Sequence, residues 1–127
     1  MFEPNDEAFL LRQISQNSCI LFLGAGFCWG MKNRLDQRPP LGRELTGDLW
    51  KYAGYSDPMP VGMNLSKVFQ LALKGGKPQR ELQSFLEDRL LISEIPDIYN
   101  SICRPFWYRI YTTNIDDSLP RLFARAS

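Results

Sequence analysis

The spacing of apolar and polar residues predicts a helix and then a strand at the start of the chain. Apolar residues recur on one side of residues 5–16, which predicts a first helix with Asn5 or Asp6 as its N-cap. Residues 19–23 form a continuous apolar run that ends at glycines. Such a run is typical of a strand buried on both faces of a parallel sheet.

The middle of the chain, residues 41–103, is predicted to be mostly helical. Apolar residues repeat there at helical spacing. Gly54 is predicted to be the C-terminal cap of the helix at 41–53, and Ser93 is a candidate N-cap of the helix at 95–102. Residues 30–40 and 55–63 contain glycine and proline without periodicity and predict loops. The predicted helices cover residues 41–53, 65–72, 82–90 and 95–102.

The last part of the chain predicts a second strand, a polar turn and a final helix. Residues 107–112 are aromatic and β-branched, and Asp116 and Asp117 suit the start of a helix. The order of elements indicates an α/β fold with a Rossmann-like parallel sheet and a helical insertion. Two strands are too few for a stable α/β sheet. Either further strands lie in segments that look helical, or the chain pairs with another chain, or it is the first part of a larger domain, which we favour.

Composition places the chain among soluble globular proteins and excludes several chemistries. Its 127 residues are 44% hydrophobic and 23% charged, and a net charge of +1 argues against an electrostatic nucleic-acid binder. The sequence contains no histidine. Imidazole metal sites and Ser/His/Asp or Cys/His triads therefore cannot be built from this chain alone.

Cysteines and apolar stretches bear on the cellular compartment. Cys19, Cys28 and Cys103 are odd in number and lack Cys-x-x-Cys spacing, which favours neither a disulfide framework nor a zinc ribbon. The N-terminus has no signal-peptide pattern, and the longest apolar stretch is too short to cross a bilayer. We expect a cytoplasmic protein without metal, membrane or direct nucleic-acid partner.

Two turns are candidates for binding and catalysis. Gly24 and Gly26, within the loop of residues 23–30, let the backbone turn sharply and approach a pyrophosphate. The second turn, Thr-Thr-Asn-Ile-Asp-Asp over residues 112–117, follows the second strand. Carboxyl ends of parallel strands share one edge of a sheet, so both turns are expected to face one crevice. Taken singly, the first is also typical of a plain tight turn and the second of a helix cap.

Together these turns resemble the paired motifs of the sirtuin-like NAD-consuming family. That family has a Gly-Ala-Gly-x-Ser loop and a Thr-Gln-Asn-Ile-Asp type motif, and this chain has Gly-Ala-Gly-Phe-Cys at 24–28 and Arg-Ile-Tyr-Thr-Thr-Asn-Ile-Asp-Asp at 109–117. The second stretch is most similar to the bacterial antiphage-defence branch that includes Thoeris-type effectors. The proline-led segment 39–45 is similar to a helix start of that branch. The resemblance spans residues 18–123, with the second motif region at 107–123.

The resemblance implies an NAD glycohydrolase, with NAD as substrate and ADP-ribose and nicotinamide as products. It implies antiviral defence by NAD depletion, as in abortive infection, and assembly into a homo-oligomer. Asn114 takes the place of the asparagine that holds the nicotinamide ribose and the attacking water, and Asp116 that of the aspartate near the carboxamide; both are expected to be catalytic. Asp117 is expected to be a cap. The cofactor-binding residues that the resemblance implies are Gly24, Ala25, Gly26, Phe27, Cys28, Thr112 and Asn114.

The chain departs from the family pattern in four respects. The catalytic histidine is absent, Cys28 stands where serine is usual, and Pro120 stands where the branch often has glutamate. The zinc-binding cysteine pairs of deacylases are missing, which favours NAD hydrolysis over deacylation. We expect the histidine and the missing strands to follow Ser127, and the chain alone to be nearly inactive.

Two other functions compete with hydrolysis. The first is a sensor that holds NAD or ADP-ribose without cleaving it. The second is an oligomerising module that packs through its helices at 41–102.

The tryptophans and the late arginines have simpler interpretations. Trp29, Trp50 and Trp107 are predicted to be core or pocket-wall residues, because no basic track accompanies them. A solvated face is the expected position of Arg104, Arg109, Arg121 and Arg125.

Overall fold

The computed structural model describes residues 3–126 as a mixed α/β fold with two small sheets. The predicted helical excursion and both predicted strands are confirmed, with bounds that differ by a few residues. A 3₁₀ turn follows the first strand at Ala25–Cys28 and a longer 3₁₀ helix occupies Asp97–Cys103. The helices and strands, in chain order, are α1 (Pro4–Ser15), β1 (Ile20–Leu23), β2 (Lys32–Asn33), α2 (Gly42–Tyr52), α3 (Leu65–Lys74), α4 (Gln79–Leu90), β3 (Ile92–Glu94), β4 (Arg109–Thr112) and α5 (Ser118–Ala126).

The first helix confirms the predicted segment but not its cap. Pro4 occupies the first helical turn, and Glu3 rather than Asn5 or Asp6 is the N-cap. Proline suits this place because a first-turn N–H has no intrahelical acceptor and the ring fixes φ near the helical value. No residue of α1 is buried.

Strands β1 and β4 pair directly and in parallel. Ile20 lies opposite Arg109 and Leu23 opposite Thr112, so the two strands end at the same edge. The expectation that the first strand is buried on both faces is wrong. Phe22 is 74% exposed and stacks on Tyr111, with ring centroids 5.2 Å apart. Only Leu23 of this strand is buried, so helices of the described chain cover the sheet incompletely.

The largest apolar core lies within the helical excursion, between α2, α3 and α4. Leu45, Leu49, Val68 and Leu82 are fully buried at its centre. Glycines end two of these helices in the left-handed region that favours glycine; the predicted cap Gly54 has φ +99°. The helices therefore form a unit whose packing does not depend on the parallel sheet.

A second sheet corrects the prediction for residues 30–40 and 93–102. Strands β2 and β3 pair antiparallel, where a loop and the start of a helix were expected. Ser93 is not an N-cap; its hydroxyl donates to the Asn33 carbonyl oxygen at 2.7 Å, and the helix that follows begins after Pro96. Ile92 is buried against Cys28 and Met31, which explains why the backbone is extended here. This additional sheet does not join β1 and β4.

Candidate functional site

The two predicted turns lie side by side at the carboxyl ends of β1 and β4. The Asn114 side-chain amide Nδ2 donates to the Gly24 carbonyl oxygen at 2.9 Å. The backbone N–H of Thr113 donates to the carbonyl oxygen of Leu23 at 3.4 Å, continuing the pairing of the strands. The parallel register causes this meeting, because Leu23 and Thr112 are partners at the last position of each strand.

The glycines of the first turn leave open space beside the backbone. Neither Gly24 nor Gly26 has a positive φ, so the expectation that a sharp turn needs their conformational freedom is wrong. A Cβ built on either glycine would meet no atom within 4 Å. A side chain there would occupy surface that is now free for close approach of a ligand to the backbone. The turn itself is closed by the Phe27 N–H, which donates to the Gly24 carbonyl oxygen at 3.0 Å.

A small cavity of about 120 Å³ lies between the two turns and the start of α2. Its walls are formed by Ala25, Cys28, Pro40, Leu41, Gly42, Thr113, Asn114, Ile115 and Asp116. The sequence predicts no binding role for Pro40, Leu41 and Gly42, although their segment carries part of the resemblance. Thr113 and Ile115 belong to the second candidate turn but were given no binding role.

A larger depression elsewhere has fewer features of a ligand site. It has a volume of about 860 Å³ and lies on the outer side of α4, between Tyr52 and Arg80. It is wide open to solvent, and neither motif turn contributes to it. Ligand sites are typically concave with convergent polar groups. We therefore take the smaller cavity, which joins three separate segments of the chain, as the candidate site.

Cys28 is a buried and neutral member of the cavity wall. Its side chain is 4% exposed, and its thiol lies 3.6 Å from the carbonyl oxygen of Ala25. Burial, and then the neighbouring Asp116 carboxylate, raise the pKa of the Cys28 thiol to about 11. Only a thiolate is a strong nucleophile. At neutral pH the Cys28 side chain is thus a small wall residue with a weak hydrogen-bond donor, and it is not a nucleophile.

The two aspartates after Asn114 have different structural roles. Asp116 lines the cavity, and its Oδ1 accepts from the Ser118 backbone N–H at 2.9 Å, at the start of α5. Asp117 directly precedes α5, and its carbonyl oxygen accepts from the Arg121 N–H at 3.1 Å, as expected of an N-cap residue. Its side-chain Oδ1 accepts instead from the Ile92 backbone N–H at 2.6 Å. The carboxylate of Asp117 therefore fastens the second turn to β3, while the neighbouring carboxylate interacts with the first turn of α5.

Two predicted binding residues point elsewhere than into the cavity. The Phe27 ring packs edge-on against Tyr99, with centroids 5.3 Å apart, in the small core around Cys28. The Thr112 hydroxyl Oγ1 accepts from the Asn114 backbone N–H at 3.0 Å and shapes the turn. Ala25, Cys28, Asn114 and Asp116 are the expected residues that the cavity brings together.

The tryptophans divide into one core residue, Trp50, one half-buried residue, Trp107, and one exposed residue. The indole N–H of Trp50 donates to the Asp57 carbonyl oxygen at 2.7 Å, and that of Trp107 donates to the Ile102 carbonyl oxygen at 2.8 Å. Trp29, in contrast, is 58% exposed. It lies neither in the core nor in the wall of the candidate cavity, so its predicted placement in the core or a pocket wall is wrong.

Two structural features, a cluster of metal-ligating side chains and a membrane-spanning helix, are absent from the described part of the chain. Residues 3–126 contain no group of three or more cysteine, aspartate or glutamate side chains arranged to hold a metal ion. Within the same range, no helix has the length and apolar character needed to cross a bilayer.

Comparison with known proteins assigns no family to this arrangement. No protein-family profile, curated protein or solved structure matches the chain at a significant level. The geometry of the two turns and the resemblance of their motifs are therefore the basis for a proposed function.

Proposed function

We propose that the cavity between the two turns binds the nicotinamide riboside end of NAD, as the nucleotide-binding part of a sirtuin-like NAD glycohydrolase. The products are ADP-ribose and nicotinamide. The observation that carries the proposal is the hydrogen bond from Asn114 to the Gly24 carbonyl oxygen. It joins the two motifs of the resemblance, which are ninety residues apart, at one point.

Asn114 suits the reaction because its two amide atoms have separate tasks. Its Nδ2 is held by the Gly24 carbonyl oxygen, which fixes the direction of Oδ1. Oδ1 can then accept a hydrogen bond from a ribose hydroxyl or from the attacking water. Cleavage of the bond between ribose and nicotinamide develops positive charge on the sugar, and oriented dipoles with a positioned water stabilise such a transition state.

The remaining parts of NAD have places in this scheme. Asp116 lies on the cavity wall, where its carboxylate can accept from the amide of nicotinamide. Gly24 and Gly26 have free space beside their backbone, where a diphosphate can approach closely. No metal ion takes part in the proposed chemistry.

The proposal includes partners beyond these 127 residues. The sequence has no histidine, so the catalytic histidine of the family would have to come from another segment or subunit. The exposed face of the parallel sheet, with Phe22 and Tyr111, is a surface on which further strands and helices of a complete Rossmann-like domain would pack. We infer that the active protein is completed by a further segment or by assembly into a homo-oligomer. We also propose that it acts in the cytoplasm, in antiphage defence.

The assignment of Asn114 is tested by NAD loss with the complete protein. Asn114→Ala removes both amide functions, and we expect the rate to fall about a hundredfold or more, as when an oriented transition-state dipole is lost. Asn100→Ala is the matched control, because this amide pairs with Arg125 away from the cavity. In infected bacteria, the same Asn114 variant should abolish both NAD depletion and protection. Equal rates in the parent and Asn114→Ala would contradict the assignment.

A second candidate function is NAD or ADP-ribose sensing without cleavage. The specific observation in its favour is the lack of histidine, together with a Cys28 thiol that stays protonated at neutral pH. Calorimetry that detects binding by the complete protein, while NAD remains constant over hours, would favour the sensor. Stable oligomers that bind no adenine nucleotide would instead favour the interaction module.

A further inference from the structure

Trp29 is a large aromatic side chain exposed just after the glycine loop. Its exposed fraction is 58%, whereas Trp50 in the helical core is 9% exposed. Leaving so much of an indole in water forgoes the free energy of burying its apolar surface. An exposed indole is also a surface on which bases stack, because every base has a π-face.

Arg38 and Glu44 hold this indole in a defined place. The guanidinium carbon of Arg38 lies 4.0 Å from the centroid of the Trp29 ring. Arg38 Nη2 donates to both carboxylate oxygens of Glu44 at 3.1 Å. The Leu41 backbone N–H donates to Glu44 Oε1 at 2.9 Å. Trp29 is thus anchored, through two charged side chains, to the beginning of α2.

The anchoring persists at neutral pH because Glu44 remains ionised. The hydrogen bond from the Leu41 N–H, and then the interactions with Arg38, lower the pKa of the Glu44 carboxyl. A cation held over an aromatic ring is attracted by the ring's quadrupole. The indole is therefore preorganised before any ligand arrives, which reduces the entropy lost on binding.

This arrangement adjoins the cavity of the candidate site. Cys28 precedes Trp29 and lines the cavity, and Pro40 and Leu41, shortly after Arg38, form another part of its wall. The charge of Arg38 acts on the thiol of Cys28, lowering its pKa against the larger effects of burial and Asp116. We call Trp29 with Arg38 the platform. The platform therefore adjoins the cavity along both chain segments, because each of its two residues is followed or preceded closely by a residue of the cavity wall.

The size of the cavity leaves one base of a dinucleotide without a place. Its volume is about 120 Å³. An apolar cavity of about 150 Å³ holds a single benzene ring. The cavity is smaller than this, so it cannot enclose both bases of NAD, and at least one base has to lie outside it, on the neighbouring surface.

We propose that Trp29, backed by Arg38, stacks the adenine ring of the dinucleotide while the cavity holds the nicotinamide end. The inference rests on the proposed function and adds a specificity determinant to it. Trp29 makes the site select ligands that carry adenine, such as NAD and ADP-ribose, over nicotinamide mononucleotide.

Calorimetry on the complete protein with ADP-ribose and with nicotinamide mononucleotide tests the stacking role of Trp29. Trp29→Ala should weaken ADP-ribose binding about tenfold or more, the usual loss for a base that no longer stacks. The same variant should leave the affinity for nicotinamide mononucleotide unchanged. Trp29→Phe should retain most of the affinity for ADP-ribose, and ADP-ribose should quench tryptophan fluorescence in the parent but not in Trp29→Phe.

Tyr108→Ala is the matched control. Tyr108 is 64% exposed and has Arg109 at 5.7 Å from its ring, but it lies before β4, at the end opposite to the cavity. Its removal should change neither affinity. Unchanged ADP-ribose binding by Trp29→Ala, or an equal loss for both ligands, would overturn the platform while leaving the proposed function in place. A complete parent protein that binds neither ligand would overturn both proposals.

Discussion

At the scale of single residues, Cys28 shows how burial changes a functional group. Serine is usual at this position in the resembled family, and a hydroxyl is a better hydrogen-bond donor than a thiol. The thiol is nearly inaccessible to solvent and lies beside the carboxylate of Asp116. Both surroundings disfavour the charged form. Cys28 is therefore suited to shaping the cavity rather than to reacting in it.

The raised pKa of Cys28 predicts a pH-dependent contribution to stability. The thiol has an ordinary pKa of 9.0 when exposed and about 11 in the fold. Because the unfolded thiol ionises first, stability is fully present below pH 9 and falls as the pH rises toward 11. The stability difference between the parent and Cys28→Ala in urea should therefore shift against the parent between pH 8 and 10.5. A constant difference over this range would contradict the burial argument.

Residues also show which parts of the site could be predicted from the sequence. Asn114 and Asp116 stand in a contiguous motif after a recognisable strand, and the cavity contains both. The wall formed by Pro40 and Leu41 depends on how α2 packs against the motif turns, which no local pattern encodes. Trp29 was misplaced for a similar reason, since the Arg38 that backs it lies in a different loop.

At the scale of secondary-structure elements, α5 is tied to β3 by charged side chains. Asp117 accepts from the Ile92 N–H, and the Arg121 guanidinium Nη1 donates to the carbonyl oxygen of the same residue at 2.6 Å. Arg125, one turn later, donates to the Ile95 carbonyl oxygen at 2.6 Å. Both arginines are exposed, as predicted, and their hydrogen bonds also tie the helix that follows the second motif to residues 92–95.

We predict that Asp117→Ala destabilises the fold by about 1.5–3 kcal/mol, because a hydrogen bond to a charged group is lost and the Ile92 N–H is left without its acceptor. Urea unfolding measures this difference. Asp36→Asn is the control, since Asp36 pairs with Lys32 on the surface, and it should change stability by less than about 1 kcal/mol. If the two variants lowered the free energy of unfolding by similar amounts, the link between α5 and β3 would contribute no more to stability than a surface ion pair.

Elements defined by local spacing were easier to predict than those defined by partners. Helices α2, α3 and α4 follow from apolar residues at helical spacing, and α2 and α3 also from the glycines that end them, all of which are local signals. Strand β3 depends on pairing with β2, about sixty residues earlier, and the spacing of Ile92 and Ile95 imitates a helix. The exposure of Phe22 could not be predicted either, because a continuous apolar run does not reveal how many strands flank it.

At the scale of the whole molecule, apolar burial is concentrated in the helices and sparse in the parallel sheet. The core between α2 and α4 contains Leu45 and Leu49 without exposed surface. Helix α1 has no buried residue, and Leu11 on it is 60% exposed. Stability of the described chain therefore derives mainly from the helical excursion.

This distribution predicts opposite results for two leucine substitutions. Leu45→Ala should reduce the free energy of unfolding by about 2–5 kcal/mol, because it removes buried methyl groups and leaves a cavity. Leu11→Ala should change it by no more than about 0.5 kcal/mol, as is usual for surface positions. Chemical denaturation followed by circular dichroism compares the two. A larger loss for Leu11→Ala would mean that α1 is packed against a partner in solution.

The direct pairing of β1 with β4 also has a consequence for folding order. All residues between Leu23 and Arg109 form one loop that is closed by the pairing of the two strands. Closing this loop costs chain entropy, and the contacts between the strands alone offset little of that cost. Local contacts form faster than distant ones, so the helices within the loop fold early and shorten the effective distance between the strands. The hydrogen bond from Asn114 to Gly24 then closes the loop. The cavity between the two turns is accordingly completed late, and its formation reports on completed folding of the helices, none of which contains either motif.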